Sequence, residues 1–255
     1  MFRLTAFYYR PMGLAANNTL FATTHWSVIV TASKEIDSPH AREALETLCR
    51  TYWYPLYAYV RRQGHAPEDA EDLTQAFFAR LLEKKYVANA RRERGRFRTF
   101  LLTSLKRFLV NDWHRARTAR RGRGQSVISF DGLDAESRLL LEPADDRAPE
   151  LTFERHWAEA VLAKVLARLE TEFRTAGKAE QFAVLKGFLG ADHAPPSYAK
   201  ASEELGLNEA ALKMAVSRLR GRYRELLREE LAHTVARPED VDEELRHLIA
   251  VMKGV

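Results

Sequence analysis

The sequence predicts an all-α protein of two helical domains joined by an acidic linker, and three observations predict it. Apolar residues recur at steps of three and four through most of the chain, the period of one helix face. Two basic helical stretches, one central and one near the C-terminus, each carry their own apolar stripe. Between them the composition changes: GRGQSVISFDGLDAESRLLLEPADDRAPE sets seven acids against Arg123, Arg138 and Arg147 and adds Gly and Pro. Some thirty residues of this kind inside one compact domain would be unusual, so a boundary is the better inference. The 255 residues have room for two or three small domains, and an apolar share of 46% is enough for real cores.

In chain order, residues 1–37 read as an N-terminal arm, partly disordered, with Met12 as an alternative start. Phe21 to Ser33 is ambiguous: Val28, Ile29 and Val30 favour a strand, while the short length and missing partner strands favour an arm or helical turn. Residues 38–121 form the first domain. Pro39 sits in the first turn of its opening helix, with Ala41, Leu45, Leu48, Tyr52 and Leu56 buried. Pro55 should kink or restart that helix, and Tyr57, Tyr59 and Val60 carry it to a break at Gly64.

The next helix starts near Pro67, with Glu68, Asp69, Glu71 and Asp72 at the positive end of its dipole. Ala70, Leu73, Phe77 and Leu81 point inward. Another face carries Glu71, Gln75, Phe78 and Leu82 beside Asp72, the mixture of carboxylate, amide and large apolar groups that a protein contact uses. Widening of the core stripe by Phe78 and Leu82 explains those two equally well. The carboxylates next to His65 are accounted for by capping and the dipole, without a metal or catalytic role.

A polar, basic loop from Lys84 to Arg96 leads into the central helix. Phe97, Leu101, Leu105 and Phe108, with Leu102, Leu109 and Trp113, form its buried side. Arg96, Thr99, Thr103, Arg107, Asn111, His114 and Thr118 recur on the opposite side. Twelve basic residues between Arg91 and Arg123, Arg98 and Lys106 among them, face only Glu93 and Asp112 within this stretch. A surface this basic suits a polyanion.

Residues 122–152 are the linker, with one short helix at Ala135 to Leu141. Residues 153–234 are the second domain. Phe153, Trp157, Val161, Leu162, Val165, Leu166 and Leu169 define its first helix, and Phe182, Leu185, Phe188 and Leu189 another. Ser197, after Pro195-Pro196, is placed to cap a short helix over Tyr198 to Leu205. Gly206 suits a left-handed turn, and Asn208 caps a longer helix with Leu212, Val216, Leu219, Tyr223, Leu226 and Leu227 inside. This is helix-turn-helix grammar. Lys213, Ser217, Arg218, Arg220 and Arg222 lie outside on the second helix. Residues 235–255 are a C-terminal helical extension docked by Val241, Leu245, Leu248 and Met252, against a surface the sequence leaves open.

Several classes are excluded. A single cysteine, Cys49, rules out an internal disulfide and any CxxC metal site, and reads as a small core residue. No eighteen-residue apolar run predicts a membrane span, and the N-terminus lacks a signal-peptide pattern, so a cytoplasmic location is expected. No catalytic constellation is legible and no cofactor is implied, so the protein is read as a non-enzyme.

The order of these parts resembles the extracytoplasmic-function type of bacterial RNA polymerase sigma factor over about Phe21 to Ala250. DAEDLTQAFFARLLE is similar to that family's polymerase-binding helix, FRTFLLTSLKRFLVNDWHRAR to its promoter-melting helix, and SYAKASEELGLNEAALKMAVSRLRGRYREL to its C-terminal helix-turn-helix. The resemblance implies that the two domains are sigma regions two and four. It implies that core RNA polymerase, through its clamp coiled coil and flap, and promoter DNA are partners, with an anti-sigma or other regulatory protein left open. Asp72 and Gln75, supported by Phe78 and Leu82, would meet the clamp. Tyr86, Arg96, Arg107, Asn111, Asp112 and Arg115 would address the −10 element. Lys213, Ser217, Arg218, Arg220 and Arg222 would address the −35 element. Lys200 and Ala201 depart from the Glu and large aliphatic frequent in the family, removing a capping-box partner and some packing, and Phe100 replaces a frequent Trp. The alternative is a one-component helix-turn-helix repressor with a ligand in the N-terminal bundle. It requires a two-fold dimer and leaves the second basic helix and the acidic linker unexplained.

Overall fold

The computed structural model describes residues 39–81, 95–118, 132–142, 148–190 and 196–254, apart from the side chains of 39–45, 47, 112–118 and 132–134. The helices are α1 (Pro39–Arg62), α2 (Pro67–Leu81), α3 (Phe97–Thr118), α4 (Gly132–Leu140), α5 (Pro149–Thr175), α6 (Ala179–Leu185), α7 (Tyr198–Leu205), α8 (Glu209–Ala232) and α9 (Val241–Lys253). Short 3-10 turns occupy Lys186–Phe188 and Pro238–Asp240, and no strand occurs among the described residues. The stretch Phe21–Ser33, whose conformation the sequence leaves open, lies outside them.

Two compact units emerge. The described residues up to Leu162, together with those from Glu230 onward, form the first, and Ala163–Glu229 form the second. The division therefore falls inside α5, ten residues later than the composition suggests (162 against 152), and it returns α9 to the first unit. Phe153 and Trp157 accordingly fill the first unit's core, both at 0% exposure.

At the centre of the first unit lies α1. The expected stripe is widened: every residue from Tyr52 to Val60 is buried. The helix runs through Pro55 without restarting, because burial on all sides outweighs the one backbone hydrogen bond that proline removes. Gly64, with φ of +92°, then breaks it where a Cβ would be strained. Cys49 is fully buried on α1, and burial pushes its thiol up to about 12, so it is an inert core residue.

The acidic stretch supplies a packed part here. Its helix, α4, starts three residues before the expected Ala135, and charged side chains in this stretch dock against its neighbours. Glu136 accepts from the Tyr57 hydroxyl at 2.5 Å and from Arg61 Nε and Nη2 at 2.8 and 2.7 Å. Glu142 accepts from the Tyr54 hydroxyl at 2.5 Å and pairs with His156 Nε2 at 2.9 Å. The Arg138 guanidinium lies 3.8 Å from the Tyr54 ring centre. Leu140 and Leu141 are left 75% and 86% exposed.

A second charged cluster closes the other end. Arg98, 2% exposed, sits between Glu154 of α5 and Glu244 of α9 and stacks 4.7 Å over Trp157. Its Nε lies 2.9 Å from Glu244, a carboxylate with no exposure at all. His247 Nε2 reaches Glu154 at 3.0 Å. The Phe97 amide, one of the unpartnered donors of the first turn of α3, donates to the Thr234 carbonyl at 2.9 Å. Val241 and Leu248 are the buried apolar contacts of α9, while Leu245 and Met252 are half-buried.

Two outcomes follow for stability. Glu244→Ala strands the buried Arg98 charge and should cost about 3–5 kcal/mol in urea unfolding of the full chain, whereas Glu150→Ala, at the half-exposed Lys106 pair, should cost less than about 1 kcal/mol. For α4, the Arg61 and Tyr57 bonds hold the Glu136 carboxyl below its ordinary 4.5; burial opposes the same shift at Glu142, but His156, Tyr54 and Arg138 outweigh it. A depressed folded value stabilises fully above the unfolded value and is lost as pH falls through the folded one. Amide protection of α4 should therefore persist at pH 5 and disappear only below about pH 4; loss already at pH 6 would contradict this.

Candidate nucleic-acid and polymerase interfaces

On α2 the first-turn acids leave an exposed, polar face. Asp72 is exposed; Gln75 is half-buried and donates to Glu71 Oε1 at 3.1 Å. The expected inward stripe holds at Ala70, Phe77 and Leu81 and differs at one position. Thr74, its hydroxyl donating to the Ala70 carbonyl at 2.7 Å, is buried where Leu73 was expected, and Leu73 is half-buried. Phe78 is 2% exposed and its ring lies 5.9 Å from that of Phe77, which meets Phe108 of α3 at 5.8 Å. Phe78 is thus a core residue beneath the polar face and cannot itself touch a partner there. Leu82 lies outside the described residues.

Along α3 the two expected faces are present up to Asn111, while the side chains of Trp113, His114 and Thr118 lie outside the described residues. Phe97, Leu101, Leu102, Leu105 and Phe108 are buried; Thr99, Thr103, Arg107 and Asn111 are exposed. Leu109 is half-buried, and Val110 stands 58% exposed beside Asn111. Tyr86 and the side chains of Asp112 and Arg115 lie outside the described residues.

Among the described residues of the expected cationic surface, Arg98 is overturned, and Lys106 and Arg96 are found paired with carboxylates. Arg98 is buried in its ion-pair cluster and contributes nothing outward. Lys106 pairs with Glu150 at 2.6 Å and lies 6.0 Å from the Tyr59 ring centre. Arg96 holds Glu243 at 2.5 Å and Glu244 at 2.9 Å. The opposing carboxylates come from α5 and α9, far along the chain, where a local charge count cannot find them. Arg98 itself was legible: it lies three and seven residues before Leu101 and Leu105, on the buried stripe.

In the second unit, Phe182, Leu185, Phe188, Leu212, Val216 and Leu219 build a small core, with the rings of Phe188 and Tyr198 4.8 Å apart. Gly206 takes φ of +62°, and the Gly206 and Leu207 amides donate back to the Glu203 and Ser202 carbonyls, closing α7. Asn208 Oδ1 accepts the Ala211 amide at 2.8 Å, capping α8. Ser197 makes no side-chain cap, and Lys200 at the third helical position offers no carboxylate to complete a capping box.

Lys213, Ser217 and Arg218 are exposed on α8 with Met214, 55% exposed, among them. Lys213 pairs with Glu209 at 2.6 Å. Arg220 is exposed as expected and Arg222 is half-buried, and both also brace the unit. Arg220 donates from Nε and Nη2 to the Phe188 carbonyl at 3.1 and 2.9 Å, and Arg222 forms a two-pronged pair with Glu172 at 2.9 and 2.8 Å. They sit at the edge of the outward face, within reach of α5 and the turn after α6.

Residues 48–120 match the family model for Sigma-70 region 2. Over that span the chain is similar to a sigma-70 region 2. No curated protein and no solved structure matches the chain. The matched span runs from the middle of α1 through the end of α3, so it contains both the polar face of α2 and the Arg107–Asn111 face of α3. The match supports a sigma-factor role in RNA polymerase binding and promoter melting. Among the described residues no helix is long and apolar enough to cross a membrane.

The bracing and outward-facing arginines of α8 should separate by stability. Arg220→Ala and Arg222→Ala should each destabilise the second unit by about 1 kcal/mol, while Arg218→Ala should stay within about 0.5 kcal/mol of wild type. Thermal unfolding followed by circular dichroism reads both; equal effects at all three positions would refute the assignment.

Proposed function

We propose that the protein is an RNA polymerase sigma factor of the extracytoplasmic-function type, acting in the cytoplasm without catalysing a reaction itself. The region 2 match over α1–α3 carries this reading. The polar face of α2, with Asp72 and Gln75, is the surface that meets the polymerase clamp, and Phe78 fixes that face from below. Arg107 and Asn111 of α3, joined by Tyr86, Arg96, Asp112 and Arg115, address the −10 element. Lys213, Ser217 and Arg218 at the capped N-terminal half of α8 read the −35 element, the second unit serving as region four beside the polymerase flap. Exposure of these α8 side chains and the left-handed turn at Gly206 support that part.

Magnitudes favour work within a larger machine. Opening about four base-pair steps costs roughly 6 kcal/mol, and holding two unstacked bases on protein returns about 2–6 kcal/mol. The chain alone is therefore near or below break-even, and polymerase contacts supply the remainder.

Run-off transcription with core polymerase and the purified chain should yield promoter-dependent product. Asp72→Ala combined with Gln75→Ala should abolish polymerase capture while leaving the chain's own weak DNA affinity within about two-fold of wild type. Wild-type polymerase capture that survives both substitutions would remove α2 from the interface, and no promoter-dependent product on any template would count against the function.

A further inference from the structure

The two edges of Arg96 are held by different kinds of partner. Its Nε faces Glu244 at 2.9 Å, a carboxylate that is fully buried and also holds Arg98. Its outer nitrogen faces Glu243 at 2.5 Å, whose side chain is 64% exposed. Glu244 cannot leave without stranding buried charge. Glu243 can: it stands on the solvent side of α9, and Arg96 is its partner among the described contacts. Guanidinium binds carboxylate and phosphate with the same fork geometry, so one can replace the other at that outer edge.

We propose that Glu243 is a built-in substitute for a DNA phosphate on Arg96, displaced when the first unit engages the nucleic acid. The C-terminal helix then has two jobs in adjacent residues. Through Glu244 it orients Arg96 and closes the core; through Glu243 it occupies the outward nitrogen and lowers affinity for DNA in the free chain. The inference rests on Arg96 being a DNA contact, as proposed above, and adds a restraint on that contact located more than a hundred residues away in sequence (147 positions). Its effect is modest, since a half-exposed pair is exchanged for another ionic contact.

The test uses the full chain, alone and with core polymerase, and a fluorescein-labelled duplex of random sequence with a central unpaired bubble, read by anisotropy at low salt. Glu243→Gln should tighten binding about two- to five-fold. Glu239→Gln removes an equally exposed acid just before α9, 66% exposed and near Arg237, and should leave binding at the wild-type level. In an Arg96→Gln background, Glu243→Gln should have no effect. Unchanged circular-dichroism melting of Glu243→Gln establishes that the fold is kept. A gain that persists without Arg96, or that Glu239→Gln reproduces, overturns the proposal by reducing it to general charge repulsion, and so does no gain at all. Failure of the wild-type chain to bind DNA even with polymerase overturns the sigma-factor reading itself, a result distinct from those.

Discussion

The buried guanidinium of Arg98 is the constraint around which the first unit is arranged. A charge at 2% exposure is tolerable only if its partners are fixed, and here they come from two other helices, Glu154 of α5 and Glu244 of α9. Trp157 of α5 lies beneath it, and the Phe97 amide bonded to Thr234 ties the start of α3 to the turn after α8. The start of α3 is therefore built jointly by residues near positions 97, 155 and 240. The exposed side chains further along α3 inherit their placement from that anchor.

The same principle recurs at the other acidic stretch. Glu136 and Glu142 bind tyrosines, an arginine and a histidine of α1 and α5, so a segment that resembles a tether is in part a docked element. Acidic residues in this protein act repeatedly as internal counter-ions to a basic scaffold. The net charge of +5 understates how much opposite charge is paired inside the fold. Among the described residues, the outward set includes a short polar group on α2, Thr99, Thr103, Arg107 and Asn111 on α3, and Lys213, Ser217, Arg218 and Arg220 on α8.

The first and second units use different means to present those residues. In the first unit, α1 is buried on all sides from Tyr52 to Val60 and its neighbours turn polar faces out. In the smaller second unit, a left-handed glycine, an asparagine cap and two bracing arginines set the start and the flank of α8. Arg220 and Arg222 show how a basic helix divides its charge: four and five residues from Val216 and Ser217, they lie at the edge of the outward face, where a carbonyl and a carboxylate are close enough to claim them.

Local chemistry made much of this legible from sequence. The all-α class, the caps at Pro67 and Asn208, the turn at Gly206, the buried stripe of α3 and its exposed Thr99–Thr103–Arg107–Asn111 face all follow from period and propensity, which act over one or two turns. Burial of Phe78, continuation through Pro55, the carboxylates on Arg96 and Arg98, and the membership of α9 in the first unit were decided only by tertiary structure. Each depends on a group 50 or more residues away or on how many sides of a helix are covered, as with Arg98 and Glu154, 56 positions apart. Helical periodicity encodes which side of a helix is apolar; it does not encode which distant charge will be carried to that side when the chain closes.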